Sequence, residues 1–333
     1  MQTQVLLNKL FDQQTLTQSE SEVLFSRIVQ GELDPVQFTA ALIAMKMRGE
    51  TIEEISGAVS ALQQYAQPFA IPEYIFADIV GTGGDGADTI NISTASAIVA
   101  ATMGAKIAKH GNRSVSSKSG SSDVLAALGV NINMTAENAR QALDQIGICF
   151  LFAQQYHLGF KHAMPVRNTL KTRTIFNILG PLINPAKPKH QLLGVYTPQL
   201  LKPYAETALA LGHQHTIVVH GSGLDEVALH GVTEVAEVRQ GKIEYYQLTP
   251  ADFGLPSHCS EELKGGDASE NARMLLDIFQ GKGKVAHNHA VAANTALLLR
   301  LFGQEDLKHN VENVLVTLNR GQAFACLQQL QRY

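Results

Sequence analysis

A short apolar stretch that runs into a glycine-rich loop constrains this chain most strongly. The apolar pair at 79–80 leads into residues 81–86, four of which are glycine, and a run of small residues follows at 95–105. This order predicts a strand, a tight loop and a helix. Because glycine has no Cβ, such a loop can bring backbone N–H groups against an anion. The stretch therefore predicts a phosphate site, and an ordinary glycine-rich turn is the alternative.

Side chains around the loop add to this prediction. Thr82, Thr89, Ser93 and Thr94 supply hydroxyl donors at the place where a phosphate would bind. Asp85 lies inside the loop and would repel a bare phosphate. Its position makes sense if a metal ion or a ribose hydroxyl lies between the carboxylate and the phosphate.

Two common nucleotide sites do not fit the loop. The glycine spacing over 81–86 matches the dinucleotide fingerprint, which also needs an acidic residue about 20 residues later. The next predicted strand, 106–108, leads instead to Lys109, His110 and Arg113. The nucleotide-triphosphate motif, Gly-x-x-x-x-Gly-Lys-Ser/Thr, does not occur in the sequence.

A second loop, 109–123, is rich in serine and carries cationic side chains. Two donor-rich loops that follow successive strands suit a ligand with two separate phosphate groups, because the carboxyl ends of parallel strands meet at one edge of a sheet. By composition alone, a flexible linker is the alternative.

Composition indicates a cytoplasmic enzyme of two domains. The chain has 333 residues, 45% of them hydrophobic, and a net charge of −4 from 26 basic and 30 acidic residues. This balance offers no general attraction for nucleic acid or an anionic membrane. Cys149, Cys259 and Cys326 lie far apart, which favours neither a disulfide framework nor a cysteine zinc site. No 18 apolar residues run unbroken, and the first residues lack a basic leader, so neither export nor membrane insertion is expected.

Local signals divide the chain into a helical part, 1–70, and a part of alternating strands and helices from 71 onward. Capping boxes at Thr17 and Thr51 and the Asp34–Pro35 pair predict three of the early helices. Later in the chain, the pattern predicts a helix around 168–178, a hairpin turning at 240–241, and final helices over 285–301 and 311–331.

Charged residues outside the two loops suggest further sites. Asp225 and Glu226 follow the apolar strand predicted at 215–221 and suit Mg²⁺, which prefers oxygen ligands; a solvated turn is the alternative. Arg167 has the shape to grip a planar carboxylate with two hydrogen bonds, and a surface charge is the alternative. The His-x-His pairs at 213/215 and 287/289 are weak evidence for a metal site, since they lack cysteine or glutamate partners at suitable spacing.

Four motifs in register carry a resemblance to a known family. Residues 81–85, 91–94, 109–113 and 173–185, within a match from about Leu10 to the C-terminus, resemble the anthranilate phosphoribosyltransferases. The resemblance implies an α/β protein with a small helical N-terminal domain and a larger α/β domain with a mainly parallel central sheet, of the nucleoside phosphorylase/phosphoribosyltransferase type. Residues 165–184 would return to the helical domain, and 71–164 with 185–333 would form the domain that binds phosphoribosyl pyrophosphate. The family dimerises through its helical part, which implies a homodimer.

The resemblance also implies an activity and the residues that perform it. The phosphoribosyl group of phosphoribosyl pyrophosphate passes to the amine of anthranilate, with Mg²⁺, in tryptophan biosynthesis. Catalytic roles fall on Lys109, His110 and Arg167, and metal binding on Ser93, Asp225 and Glu226. Substrate contacts fall on Gly81, Thr82, Gly83, Gly84, Asp85, Thr89, Asn91, Ile92, Ser93, Thr94, Lys109, His110, Gly111, Asn112, Arg113, Ser114, Val115, Ser116, Ser117, Ser121, Arg167, Gly180 and Pro181.

One segment departs from the commonest family pattern. Residues 157–160 read His-Leu-Gly-Phe where many members have His-Pro-Ala-Met, which affects the finer contacts of the aromatic pocket. Two rival functions remain at this point. A pyrimidine nucleoside phosphorylase would need a nucleobase site in place of the Arg167 pocket, and a non-catalytic nucleic-acid-binding relative would need a basic surface.

Overall fold

The computed structural model of the chain describes residues 2–114 and 118–333. Three residues that were expected to contact substrate, Val115, Ser116 and Ser117, lie outside the described residues. Within these two ranges, no helix is both long enough and apolar enough to cross a bilayer.

The chain begins with a helical unit built by locally encoded caps. Its helices are α1 (Gln2–Phe11), α2 (Gln18–Gln30), α3 (Pro35–Arg48) and α4 (Ile52–Gln64). Both predicted capping boxes are present, and Asp34 caps α3. Helices α2 and α4 lie so close together that a Cβ on Gly57 would be only 2.2 Å from the carbonyl oxygen of Gln18.

Alternating strands and helices follow, as the pattern predicts. The strands are β1 (Ala77–Gly81), β2 (Ile107–Gly111), β3 (Ile148–Phe152), β4 (His190–Gly194), β5 (His215–Gly221), β6 (Thr233–Arg239) and β7 (Lys242–Leu248). The helices are α5 (Ile92–Thr102), α6 (Ser121–Ala127), α7 (Ala136–Ile146), α8 (Ala153–Tyr156), α9 (Phe160–Leu170), α10 (Phe176–Leu179), α11 (Leu201–Ala210), α12 (Ala268–Phe279), α13 (Val285–Arg300), α14 (Leu307–Asn319) and α15 (Gln322–Leu330).

The strands form one sheet in the order β3-β2-β1-β4-β5-β6-β7. Strands β1 to β5 are parallel, while β6 and β7 pair antiparallel and form the predicted hairpin. The mainly parallel sheet is therefore confirmed. Because the strand order reverses between β1 and β4, a crevice opens at their carboxyl ends, which is where ligands bind in open α/β sheets. We call this side of the sheet the carboxyl edge.

Two hydrophobic cores cover the two faces of the sheet. One packs α5 and α13 against the first face, with α14 and α15 packed against α5. The other continues from the helical unit through α11 onto the second face. Ala163 and Val166 of α9 and Phe176 of α10 lie in this second core, and α9 contacts α2 and α3. The segment 160–179 is therefore packed against the helical unit.

Two predicted helices differ in the structure. The sequence predicted one helix over 168–178, but the structure has two separate helices here. Helix α9 ends at Leu170, because Lys171 adopts a left-handed φ of +47°, and α10 begins at Phe176. The helix expected over 311–331 is split into α14 and α15, because Gly321 has a φ of +67°. A left-handed residue ends an α-helix, and only glycine adopts this conformation at little cost.

Candidate active site

The glycine loop leaves the end of β1 and is tied to the neighbouring strand. Gly83, Gly84 and Gly86 have φ values of +67°, +74° and +78°, which favour glycine. The amide of Thr82 donates to the carbonyl of Gly194 at 3.0 Å, and its hydroxyl accepts a 3.1 Å hydrogen bond from the amide of Tyr196. The loop is thereby fixed to the end of β4.

Asp225 lies in the crevice between β1 and β4. Its Oδ2 accepts a 2.6 Å hydrogen bond from the amide of Gly83. A Cβ on Gly81 would lie 2.1 Å from this oxygen, and one on Gly194 would lie 1.6 Å from the carbonyl oxygen of Asp225. Any side chain at these two strand ends would push Asp225 out, so the glycines make its position possible.

Glu226 joins the start of α5 to the same crevice. Its Oε1 accepts hydrogen bonds from the hydroxyl of Ser93 at 2.6 Å and from the amide of Ser93 at 3.2 Å. The structure thus brings together the three residues that the resemblance assigned to metal binding.

The carboxylates of the crevice, Asp85, Asp225 and Glu226, have only part of their negative charge offset, by Lys109. Burial, followed by repulsion from Asp85 and Glu226, holds the pKa of Asp225 well above its usual range. Burial also raises the pKa of Glu226, against the hydrogen bonds from Ser93 and the charge of Lys109. Crowded carboxylates of this kind fit a hard divalent cation, which supplies positive charge and prefers oxygen ligands. The part of the chain that the structure describes holds no group of three or more His, Cys, Asp or Glu side chains able to form a metal site alone.

Lys109 lies within β2, and the strand is longer than the sequence suggested. The side chain is only 3% exposed, and its Nζ donates to the carbonyl oxygen of Ile79 at 2.6 Å. Burial lowers the pKa of Lys109, while the charges of Asp78, Glu226 and Asp225 oppose that shift. Its ammonium group therefore lies near the glycine loop and offsets the negative charge of Asp225 and Glu226, which we call the acidic pair.

His110 is the next residue of β2 and points to the other face of the sheet, since side chains alternate along a strand. The ring is buried beside His157, at 5.4 Å between centroids, and within hydrogen-bonding reach of the Gly180 backbone. Its Nε2 has no hydrogen-bond partner among the described residues. Burial, and then the neighbouring His157, hold the pKa of His110 well below its usual value, so the imidazole is neutral at pH 7.

A series of rings in edge-to-face and tilted contact connects His110 to Arg167. His157 lies 5.5 Å from Phe160, and Phe160 lies 5.8 Å from Phe176. The guanidinium carbon of Arg167 lies 5.4 Å from the centre of the Phe176 ring. We call His110, His157, Phe160 and Phe176 the ring series. Arg167 is half-buried at its end, and burial lowers the pKa of its guanidinium, which stays charged.

Asp123 organises the described part of the serine-rich loop. Its carboxylate accepts hydrogen bonds from the amides of Ser114, at 2.9 Å, and Gly120, at 3.0 Å, and from Nη1 of Arg113, at 3.2 Å. Asn112 is exposed, and its Oδ1 accepts from the amide of Arg113 at 2.8 Å. Arg113 is thus engaged by Asp123 in this conformation.

The remaining predicted residues fall into two groups. Ser121 approaches Gly111 closely, since a Cβ on that glycine would lie 2.1 Å from the Ser121 hydroxyl. Gly180 and Pro181 follow α10, beside His110. Ile92 and Thr94, by contrast, lie in α5 with buried side chains.

Several residues near the site were missed by the sequence analysis. Nδ2 of Asn271 donates to Oδ1 of Asn91 at 2.9 Å, and Lys264 pairs with Thr89 in a β-bridge. The segment 264–271, which includes the start of α12, therefore packs against the residues that follow the glycine loop. The signal in the sequence is the polar stretch 266–271, which precedes an apolar helical pattern.

Asp78 was also missed, although an acidic residue inside an apolar strand is a signal. Its carboxylate accepts from the amide of His110 at 3.2 Å and from Nδ2 of Asn184 at 2.8 Å. Burial raises its pKa to about 6, against the charge of Lys109 and these hydrogen bonds. Asp78 therefore supports the end of β2 from within the sheet.

The chain is similar to proteins of known family along nearly its whole length. Residues 4–66 match the family model for the helical bundle domain of a glycosyl transferase family, and residues 73–324 match the model for its a/b domain. The anthranilate phosphoribosyltransferase of Glaesserella parasuis is 66% identical over 333 residues, which is 100% of both chains.

Solved structures agree with this similarity. The enzyme of the same name from Thermus thermophilus superposes with a TM-score of 0.93 at 37% identity, covering 98% of this chain and 99% of that one. The enzyme from Saccharomyces cerevisiae, in complex with PRPP and Mg, superposes with a TM-score of 0.90 at 28% identity, covering 99% and 97%. The chain therefore belongs to the anthranilate phosphoribosyltransferase family.

Proposed function

We propose that the protein transfers the phosphoribosyl group of phosphoribosyl pyrophosphate to the amine of anthranilate, giving N-(5-phosphoribosyl)anthranilate and pyrophosphate in tryptophan biosynthesis. The observation that carries this proposal is the opposite orientation of two successive residues of β2. Lys109 faces the acidic pair below the glycine loop, and His110 faces the ring series that leads to Arg167. The end of one strand thus lies between a site for an anionic, metal-bound group and a site for an aromatic acid.

On the donor side, the diphosphate would bind the backbone of residues 81–85, next to Asp225 and Glu226. Mg²⁺ would be held by Ser93, Asp225 and Glu226, and when bound it neutralises negative charge on the diphosphate oxygens. The crowded carboxylates and the magnesium in the yeast relative's structure both support this assignment. The amides of Ser114 and Gly120, gathered around Asp123, belong to the second donor-rich loop, where the ribose phosphate would bind.

On the acceptor side, Arg167 would grip the carboxylate of anthranilate with two parallel hydrogen bonds. The ring series offers an apolar wall for the aromatic ring, with Gly180 and Pro181 beside it. Asn112 would complete this pocket. His110 is neutral and its Nε2 has no partner among the described residues, so it can form a hydrogen bond with the substrate amine.

The reaction requires that the negative charge on the leaving pyrophosphate is stabilised and that the amine is aligned with C1 of the ribose. An aromatic amine is already neutral at pH 7 and needs little help from a base, whereas pyrophosphate leaves C1 of the ribose with growing negative charge. The loop amides and Lys109 would stabilise that charge. Arg167 and Asn112 would hold the amine in line with the bond that breaks.

We further propose that 1–70 and 165–184 form one helical domain, that 71–164 and 185–333 form the donor-binding domain, and that the protein is a cytoplasmic homodimer. The core that α9 and α10 share with α2–α4 supports the domain division. Four large apolar side chains are exposed on α1 and α3 and suit a subunit contact: Val5, Phe11, Val36 and Met47. Light scattering should show a dimer that Met47→Glu weakens, and a monomeric wild-type protein would contradict this.

The function is tested by mixing the protein with anthranilate, the donor and Mg²⁺ and following the loss of anthranilate fluorescence. We expect turnover with one pyrophosphate released per anthranilate consumed. A parallel assay with a pyrimidine nucleoside and phosphate tests the phosphorylase alternative, which the 66% identity to an anthranilate phosphoribosyltransferase disfavours. Phosphorolysis without anthranilate consumption would overturn the proposal.

A further inference from the structure

Arg173 links the two sides of the cleft. It lies between α9 and α10, next to Thr174, Ile175 and Phe176, which are buried. Its own side chain is exposed and extends to the glycine loop, where Nη2 donates a hydrogen bond to the carbonyl oxygen of Gly84. A residue that follows α9, the helix of Arg167, therefore contacts the glycine loop at the end of β1.

The same guanidinium reaches a second point of the loop through Tyr196. Its central carbon lies 3.9 Å from the centre of the Tyr196 ring, within the range of a cation–π contact. The amide of Tyr196 donates to the hydroxyl of Thr82 at 3.1 Å. Arg173 is thus connected directly to Gly84 and, through Tyr196, to Thr82.

The contact with Gly84 determines how one peptide of the loop is oriented. The carbonyl of Gly84 and the amide N–H of Asp85 belong to the same planar peptide and point in opposite directions. Gly84 has a φ of +74° and, as a glycine, can adopt other conformations at little cost. By holding the carbonyl toward α9 and α10, Arg173 directs the N–H of Asp85 away from them.

We propose that Arg173 is a positioning residue that orients the Gly84–Asp85 peptide for the diphosphate of the donor. The inference rests on the proposed function of the glycine loop. It also assigns the segment 171–175 a role in joining the acceptor side, which carries Arg167, to the donor side. Arg173 acts through Gly84 and Tyr196 and is given no contact with either substrate.

The test compares Arg173→Ala, Arg173→Lys and the wild-type protein. As a matched control, Lys161→Ala removes one exposed positive charge from α9. Calorimetric titration with Mg²⁺ and phosphoribosyl pyrophosphate gives the donor Kd, and initial rates give KM for each substrate. Thermal unfolding checks that each variant is folded.

We expect Arg173→Ala to raise the donor Kd and KM about tenfold or more, since the loop loses a charge-assisted hydrogen bond. The KM for anthranilate should change much less. Arg173→Lys should recover part of the loss, because an ammonium group can donate to Gly84 but stacks poorly on Tyr196. Tyr196→Leu should weaken donor binding in the same direction, and Lys161→Ala should leave it unchanged.

Three results would overturn the inference. They are a donor Kd for Arg173→Ala equal to that of the wild type, an equal rise in KM for both substrates, and an equal loss in Lys161→Ala. Each leaves the wild-type protein active, so the proposed function would survive. A wild-type protein that consumes no anthranilate would instead overturn the proposed function.

Discussion

The backbone amide of Gly83 donates a 2.6 Å hydrogen bond to Oδ2 of Asp225. This places a carboxylate at the amide that was expected to face the donor diphosphate. Two anionic groups at one site repel each other unless a cation lies between them. Donor binding and metal binding at Asp225 and Glu226 should therefore depend on one another.

Neutralising Asp225 tests this dependence. Asp225→Asn keeps the side-chain size but removes a charged oxygen ligand, so we expect a higher Mg²⁺ concentration for half-maximal rate and a kcat/KM for the donor lowered about tenfold or more. The measurement is a Mg²⁺ titration of initial rates. Asp277→Asn, on the exposed face of α12, is the control. An unchanged titration in Asp225→Asn would rule out a metal ligand at this position.

Arg167 is tested by the carboxylate that it is proposed to bind. In Arg167→Ala, the KM for anthranilate should rise about tenfold to a hundredfold, with a much smaller effect on the donor, because a paired guanidinium–carboxylate contact is lost. The preference for anthranilate over aniline, which lacks the carboxylate, should shrink. Arg167→Lys should restore only part of that preference, because a lysine cannot form two parallel hydrogen bonds. Equal effects on both substrates would count against the assignment.

Gly194 is tested through the stability of the fold. In Gly194→Ala the new Cβ would lie 1.6 Å from the backbone oxygen of Asp225. Neither backbone can give way without disturbing β4 or the crevice, so we expect a loss of about 3 kcal/mol in the free energy of unfolding. Gly180→Ala is the control, because no atom of the described residues lies within 4 Å of the added carbon. Urea unfolding measures both, and equal stabilities would show that the crevice adapts.

The contacts of Glu237 predict how the free energy of unfolding changes with pH under acidic conditions. Burial disfavours its charge, but hydrogen bonds from His215 and Tyr246 and the charge of Arg300 outweigh burial and lower its pKa to about 2. A carboxyl whose pKa is lower in the folded state contributes stability that is present above its unfolded pKa of about 4.5 and is lost as pH falls toward 2.

The variant Glu237→Gln should therefore be less stable than wild type at pH 7, and the difference should shrink as pH falls below about 4.5. Urea unfolding at a series of pH values measures this difference. Glu234→Gln, on the same strand, is the control. A difference that stays constant from pH 7 to pH 3 would show that the ion pairs of Glu237 contribute little.

The sequence predicted most accurately the structural features that residues close together in the chain determine. The capping boxes at Thr17 and Thr51 and the hairpin turn at 240–241 depend on hydrogen bonds within a few residues, and all are present. The fold class followed from the alternation of strands and helices and from the family resemblance. The break at Lys171 was missed, because a left-handed lysine has no sequence signal.

Contacts between residues far apart in the chain could not be predicted from the sequence. The hydrogen bond from Asn271 to Asn91 and that from Arg173 to Gly84 join segments that only the strand order brings together. Lys109 was expected in a loop, yet β2 continues to Gly111 and buries it. A buried lysine is uncommon unless a partner offsets its desolvation, and here the partners, Asp78 and the acidic pair, lie elsewhere in the chain.

A crystal structure of the protein with Mg²⁺, phosphoribosyl pyrophosphate and an unreactive anthranilate analogue tests the central claim most directly. The account predicts diphosphate oxygens against the amides of residues 81–85, a metal ion at Asp225 and Glu226, and the analogue's carboxylate on the guanidinium of Arg167. A glycine loop without diphosphate, or an Arg167 side chain facing bulk solvent with both substrates bound, would contradict it.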